Sequence, residues 1–523
     1  MSAKVLLLFF LIIISVSDVN SAKILGIFAF FSPSHYFLGK ELMVGLAENG
    51  NDVTMLTIFE EKNLPKNVKY RHITMEGVLE KQQEMFKNFT SKVGSYSVLY
   101  MIFNPMGGVL SEMVFNNPQM KQLIQSKEKF DVVIVPQFFM ESPKALAAHF
   151  DAHLVLFNNH AAHSWMNHFV GNPSLPSLDT QLVLGFPALM NFKQRLINTL
   201  VASLWYVKQV LIEYPAEAEI VRKYISKDID LTQVQYNVSL VLSNSHISLN
   251  RATSSVPCMK EIAGFHIKPP KKLPDDLKKY LDESENGVIY FSMGTNLKSA
   301  ELTEETRQSL MKAFAKRKEN VLWKFESDDL PGKPDNVRIE KWLPQSDLLA
   351  HPNIKLFITH GGFLSTIETL YHGVPTVAIP VFADQKQNAE LSVSAGFAKI
   401  VNFADISEQT ISDAIDEVIT NKKYTENAKY KSKIFHDRPM APIQEAVYWI
   451  DYIVRYNGAP HLRVASAVLT WYQFYMLDVL LTIFLIIFVV IFILKTIFGF
   501  VYRKVCRSQN KSVQSSTKKV KRH

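Results

Sequence analysis

Apolar residues along this chain come in bursts of strand length, separated by stretches with helical spacing. Lys23–Phe31 is one such burst, and Ser32-Pro33-Ser34-His35 then turns the chain. Over Tyr36–Asn49 the residues Leu38, Leu42 and Leu46 recur at helical intervals, and Gly50 supplies a C-cap. Asn51–Phe59 is again rich in strand formers. Strand, helix and strand within about 35 residues make a βαβ unit, which requires a parallel sheet. Phe130–Val135 and His153–Phe157 predict further buried strands, with Ser142–Phe150 helical between them. Lys268–Gly287 interrupts the pattern, because Pro269, Pro270 and Pro274 sit among charged residues as in a linker. The alternation then resumes, with strands predicted at Val288–Met293, Val321–Phe325, Val337–Lys341, Ile354–Thr359, Val374–Pro380 and Ala398–Phe403. No self-similarity at periods of roughly 20–50 residues is present. The pattern predicts an α/β protein of two Rossmann-like domains facing a cleft, with ligands bound beyond the carboxyl ends of the strands.

The two ends carry a different pattern. Lys4 precedes the unbroken apolar run Val5–Ile14, followed by Ser15, Ser17, Ser21 and Ala22. Such a run is too short to cross about 30 Å of hydrocarbon but suits a signal peptide, with cleavage near Ser21 or Ala22. Near the other end, Val479–Leu494 contains Thr482 as its one polar residue. Extended to Tyr502, that run gives a helix of about 36 Å, and Lys495 can snorkel toward the headgroups.

Charge refines this picture. Lys+Arg minus Asp+Glu is 57 − 49 = +8. The stretch 503–523 holds Arg503, Lys504, Arg507, Lys511, Lys518, Lys519, Lys521 and Arg522 and no acid, so the rest of the chain balances. A basic nucleic-acid-binding body is excluded on that ground. A cationic flank directly after the span places the tail in the cytosol and the body in the lumen. Asn88-Phe89-Thr90 and Asn237-Val238-Ser239 then face the glycosylating compartment, so Asn88 and Asn237 are N-glycosylation candidates. Lys519-Val520-Lys521-Arg522-His523 fits a Lys-x-Lys-x-x retrieval pattern, which makes the expected location the endoplasmic reticulum membrane. Cys258 and Cys506 are the only cysteines, so a disulfide scaffold and a Cys-rich zinc module are both excluded.

Familiar mononucleotide and hydrolase motifs are missing: no G-x-G-x-x-G follows the first strand, and no Walker loop, G-x-S-x-G or H-E-x-x-H occurs. His149, His153, His160, His163 and His168 lack cysteine partners and a recognised ligand spacing, so they read as surface and packing histidines. One constellation is specific. Phe357-Ile358-Thr359-His360-Gly361-Gly362-Phe363-Leu364-Ser365-Thr366-Ile367-Glu368 runs on through Gly373-Val374-Pro375 to Pro380-Val381-Phe382-Ala383-Asp384-Gln385. A strand ends, two glycines admit a close backbone, and a helix begins whose free N–H groups and positive dipole end suit an anion. Glu368, about two turns in, is placed to accept from a vicinal diol.

This segment, with Trp342-Leu343-Pro344-Gln345-Ser346-Asp347-Leu348-Leu349 and Val288-Ile289-Tyr290-Phe291-Ser292-Met293-Gly294-Thr295, resembles the animal UDP-glycosyltransferases, the membrane-bound family that includes the UDP-glucuronosyltransferases. The resemblance covers essentially the whole chain and points to the invertebrate type. It implies a GT-B fold: residues 1–22 signal peptide, 23–268 acceptor domain, 269–286 linker, 287–440 nucleotide-sugar domain, 441–476 return helices and membrane-proximal segment, 477–502 transmembrane helix and 503–523 cytosolic tail. It further implies that Trp342 stacks on uracil, with Gln345 on its edge or the ribose. Ser292, Thr295, His360 and Ser365, with the N–H groups near Gly362, would hold the diphosphate, and Glu368 the ribose. Asp384 and Gln385 would bind the sugar, and His35 matches the catalytic base.

Two positions depart from the family pattern. The acid that family members often carry in Phe130–Gln137 is here Pro136-Gln137, which leaves Glu141 as a substitute partner for His35 if the loop bends back, while Asp131 is structural. Leu364 replaces a common polar Asn. The expected reaction is attack of an acceptor hydroxyl on the anomeric carbon with inversion. It would use no cofactor besides the UDP-sugar co-substrate and require no metal. The resemblance implies small lipophilic acceptors and UDP-glucose or UDP-glucuronate as donor, with glucose favoured because no decisive cation for a carboxylate is visible. The membrane and a second copy of the chain are the other partners considered. The alternative is a binding protein that captures a nucleotide sugar or lipophile without turnover.

Overall fold

The computed structural model describes residues 21–93, 105–187, 189–250, 252–295 and 297–520. All but the last two residues of the predicted signal peptide lie outside these, as does the side chain of Asn88.

The first domain is a seven-stranded sheet of β1 (Lys23–Phe28), β2 (Asp52–Thr57), β3 (Tyr70–Thr74), β4 (Val132–Pro136), β5 (His153–Asn158), β6 (Val238–Ser243) and β7 (Met259–Glu261). Its spatial order is β3-β2-β1-β4-β5-β6-β7, and every pairing is parallel. The second is a six-stranded parallel sheet of β8 (Val288–Ser292), β9 (Asn320–Lys324), β10 (Val337–Glu340), β11 (Ile354–Thr359), β12 (Thr376–Ala378) and β13 (Ala398–Ile400), in the order β10-β9-β8-β11-β12-β13. Each sheet reverses its strand order once, between β1 and β4 and between β8 and β11. At those reversals neighbouring connections leave toward opposite faces and open a crevice for ligands.

Five helices carry residues to these crevices or close the body: α1 (Pro33–Glu48), α2 (Gln345–Leu349), α3 (Phe363–His372), α4 (Gln385–Ser394) and α5 (Pro442–Arg455). Helix α1 starts earlier than its apolar spacing predicts, because Pro33 occupies the first turn, where a missing N–H costs nothing. Buried side chains on both faces of the first sheet form two apolar clusters. One of them takes in Ala446, Ile450 and Ile453 of α5, so the chain returns from the second domain to complete the core of the first. The expected linker is shorter than its prolines suggest. A helix at Asp275–Asp282 buries Leu277 and Leu281 beside Val288 and Tyr290, since two leucines one turn apart outweigh the flanking charges.

Residues 465–520 form a separate compact unit. Its helix α6 (Leu477–Val520) contains Leu477–Ser508, the one segment among the described residues long and apolar enough to cross a membrane. Cys258 is buried, Cys506 is exposed, and both are free.

Candidate active site

The first turn of α1 brings His35 to the carboxyl end of β1, beside the strand-order reversal. Its ring packs at 5.1 Å from Phe30 and 4.6 Å from Phe138. Phe31 and Phe86 (4.4 Å) and Phe139 (4.5 Å from Phe138) extend this into an aromatic wall. Phe139 holds a left-handed φ of 58°, a costly conformation for an aromatic residue. Loss of water around His35, reinforced by the neighbouring His160 and partly opposed by Asp384, lowers its pKa to about 3. The imidazole is therefore neutral at neutral pH, as a proton acceptor must be.

The partner of His35 is not the one the sequence suggested. Nδ1 lies 2.6 Å from the carboxamide nitrogen of Asn159, just past β5. Glu141 stays with its own neighbours: its carboxylate pairs with the buried Lys144 and accepts from Gln137 at 3.1 Å. A lysine within one helical turn claims the acid before the loop can bend toward His35. Asp131 has the structural role expected of it, accepting the Lys23 backbone N–H at 2.7 Å at the start of β1.

In the second domain the groups collect at the ends of β8 and β11. Ser292 is buried and accepts from the Gly294 N–H at 3.2 Å, while Thr295 is exposed. His360 lies between two glycine turns. A Cβ on Gly294, whose φ is 84°, would fall 2.4 Å from His360 Cε1, and one on Gly362 would fall 2.5 Å from Nε2. Burial lowers the His360 pKa to about 4, with Asp384 opposing and Lys324 reinforcing the shift. Its Nδ1 is buried without a hydrogen-bond partner. Gly362 is the N-cap of α3, so the free N–H groups of that helix begin beside this ring. A Cβ on Gly294 would displace His360, so Gly294→Ala should weaken nucleotide binding by about tenfold while the chain still folds, read by UDP titration.

One turn further on, Gln345 at the start of α2 links three groups: its amide donates to Ser365 at 2.9 Å and to Glu368, and its oxygen accepts from Tyr290 at 3.2 Å. Burial raises the Glu368 pKa to about 7 against the opposing hydrogen bond from Gln345. Trp342 is 73% exposed, so its indole face is free to stack and is not part of the core.

Asp384 precedes α4 without capping it. Burial alone would raise its pKa, but its carboxylate meets His160 at 3.1 Å and Asn388 at 2.6 Å and is held down at about 2. Gln385 is turned inward: its side-chain oxygen accepts the Val381 and Phe382 N–H groups at 2.8 and 3.0 Å, which shapes the turn before Asp384. Gln385 was expected on the sugar; with its oxygen already used, the amide nitrogen remains for that role.

The contact between His160 and Asp384 joins the two domains across the cleft, and Thr180 adds a second bond, to Gln387 at 3.0 Å. Leu364, which looked like a lost phosphate contact, packs against the apolar cluster containing Phe28 and Ile450, so an apolar residue there seals the domain boundary. His163 and His168 are packing histidines as expected, bonded to Asn158 (3.2 Å) and Tyr214 (2.9 Å). His160 is not. Sequence reasoning missed it, Asn159 and Asn388; only the position of Asn159-His160 directly after a strand signalled a site.

The family profile described as "UDP-glucoronosyl and UDP-glucosyl transferase" matches residues 36–512. UDP-glycosyltransferase UGT5 of Dactylopius coccus is 34% identical over 89% of this chain and 89% of its own length. UDP-glucosyltransferase 2 of the same insect is 33% identical (91% and 92% covered), and UDP-glucuronosyltransferase 2B13 of Oryctolagus cuniculus 30% (86% and 87%). Among solved structures, UDP-glucose: anthocyanidin 3-O-glucosyltransferase in complex with UDP superposes with a TM-score of 0.56 at 16% identity, covering 84% of this chain and 100% of that one. Glycosyltransferase VinC in complex with DTDP gives 0.57 at 14% (83% and 99%). At those identities the structures establish the shared two-domain fold, and the profile and relatives establish kinship: the chain belongs to the animal UDP-glycosyltransferase family.

Proposed function

We propose that the protein transfers glucose from UDP-glucose to a hydroxyl of a small lipophilic acceptor, with inversion at the anomeric carbon. The observation that carries this reading is the bond from His160 to Asp384: it sets the wall containing His35 against the loop containing Asp384 in one cleft. His35 takes the acceptor proton, the acceptor oxygen bonds to the anomeric carbon from one face, and UDP leaves from the other with the bonding pair. The first turn of α3 and His360 stabilise the departing diphosphate, so this route requires no metal. Asp384 and the Gln385 amide nitrogen hold the sugar, Trp342 the uracil, and Ser292, Thr295 and Ser365 the phosphates and ribose. Phe30, Phe31, Phe138 and Phe139 favour an aromatic acceptor.

Glucose is favoured over glucuronate because Lys324, the lysine that acts on His360, is already paired with the Gly294 carbonyl at 3.0 Å and Glu326 at 2.7 Å. Incubating microsomes containing the protein with labelled UDP-glucose or UDP-glucuronate and a panel of phenols tests the reading. Transfer of glucuronate alone would overturn the donor assignment. UDP binding without transfer of either sugar would establish the second reading, a binder without turnover, which rests on His35 having a carboxamide in place of an acid as its hydrogen-bond partner.

The body is proposed to be lumenal, with α6 spanning the endoplasmic reticulum membrane as a type I anchor. Protease added to sealed microsomes should trim only residues beyond Tyr502, and digestion of the body from outside would end this topology. Asn237 is exposed, with its side-chain oxygen held by Arg463, so a glycan is proposed there as well as at Asn88.

A further inference from the structure

Strand β4 ends without an acid and Glu141 is paired with Lys144, so a base at His35 needs a different group to hold its far nitrogen. The geometry points to Asn159 as that positioning residue: its carboxamide oxygen accepts Nδ1–H of His35 and leaves the Nε2 lone pair for the acceptor hydroxyl. This rests on the proposed role of His35 as base.

Two observations and one property of carboxamides carry it. The carboxamide lies 2.6 Å from Nδ1, and Asn159 is buried. Its Oδ1 is buried with no hydrogen-bond partner, so the carboxamide that meets this ring carries an unmet acceptor. A carboxamide presents donor and acceptor ends by turning about its Cβ–Cγ bond, and the two ends select opposite tautomers of the imidazole. With the nitrogen inward, the ring proton sits on Nε2 and no base faces the cleft; with the oxygen inward, the productive tautomer is set.

The surrounding loop is built to hold this residue still. The Asn159 carbonyl accepts from Asn244 at 3.3 Å. Asn158 donates to the Ala161 carbonyl at 2.8 Å and accepts from His163 at 3.2 Å. The next residue, His160, bonds Asp384 across the cleft. One dipeptide thus orients the base and anchors the sugar-side acid. His160 and Asp384 are the titratable groups acting on His35, and the rings packed on it, Phe30 and Phe138, are uncharged.

A neutral partner differs from a carboxylate in one consequence. During transfer the acceptor proton moves to Nε2, Nδ1–H stays on the amide oxygen, and the imidazolium gains no compensating charge from its hydrogen-bond partner. Acceptors whose hydroxyl proton leaves readily are therefore favoured, and phenols should outpace aliphatic alcohols.

The test uses the full-length chain in microsomal membranes, with whichever of the two donors the wild type transfers and a series of phenols of graded acidity. Asn159→Leu should lower kcat by about 10²-fold, the size of a misplaced catalytic group, with the donor KM unchanged and a steeper dependence on acceptor acidity. Asn159→Asp should keep turnover, move the acid limb of the pH–rate profile up by about one unit and narrow the gap between phenols and alcohols. The double variant His35→Ala/Asn159→Leu should be no slower than His35→Ala alone, because the two act as one unit. Wild-type kcat and pH profile in Asn159→Leu beside an inactive His35→Ala would overturn this inference and spare the base. Additive losses would also overturn it. Full turnover in His35→Ala would instead remove the base reading on which it stands.

Discussion

His35→Ala should lose turnover by about 10²–10⁴-fold, the usual share of a general base, while UDP affinity stays nearly unchanged. The split follows from the architecture. His35 is on α1, at the end of the first sheet, whereas the proposed nucleotide ligands are on β8, α2 and α3 of the second. Parallel steady-state kinetics and UDP titration check it. The loss should be smallest with acidic phenols, which reach the cleft already ionised and need no base. A variant that loses nucleotide affinity in proportion to turnover would show that His35 supports the domain boundary instead.

The second large effect is expected at Glu368. Ribose hydroxyls donate to a carboxylate, so Glu368→Ala should cost about 1–3 kcal/mol of UDP affinity, the range for a charged hydrogen-bond partner removed from a buried site. The pH dependence has a definite sign. Burial raises the free-state pKa of Glu368 to about 7, so donor binding, which prefers the carboxylate, releases a proton below that pH. Affinity for UDP-glucose should rise with pH through the acid range, by roughly tenfold per unit where one proton is linked, and level off above about 7. The donor's diphosphate diester does not titrate in that window, and His360 stays neutral because its pKa is lowered to about 4. In Glu368→Gln the dependence should disappear. A slope that survives the substitution would place the titrating group elsewhere.

Much of this molecule was legible in its sequence, for reasons visible in particular elements. Parallel strands buried on both faces read as short continuous apolar runs, which is why β1, β2, β5, β8 and β11 were predicted close to their observed limits. The pair Gly361-Gly362 between a strand and a helix located the turn before α3, because few other residues admit so close a backbone. Edge strand β3 was missed: its residues are only partly buried and include Arg71 and His72, so it lacks the apolar run that a central strand shows. Three-residue β7 is too short to have a period.

What the sequence by itself determined was therefore everything encoded locally: two α/β halves, an apolar membrane-length run with a basic flank, and the strand–turn–helix order of the motif from Phe357 to Gln385. What only tertiary structure decided was who meets whom. Glu141 was the nearest acid by sequence, yet Lys144 three residues on captured it. Asn159 was 124 residues from His35 and had no motif to mark it, yet the parallel neighbours β1, β4 and β5 bring their carboxyl ends together and put the two in contact. His160 looked like one of several scattered histidines until the fold set it on Asp384, 224 residues away. Hydrophobic periodicity reports which face of an element is buried; it carries no information about which polar side chains the burial of those faces will force together.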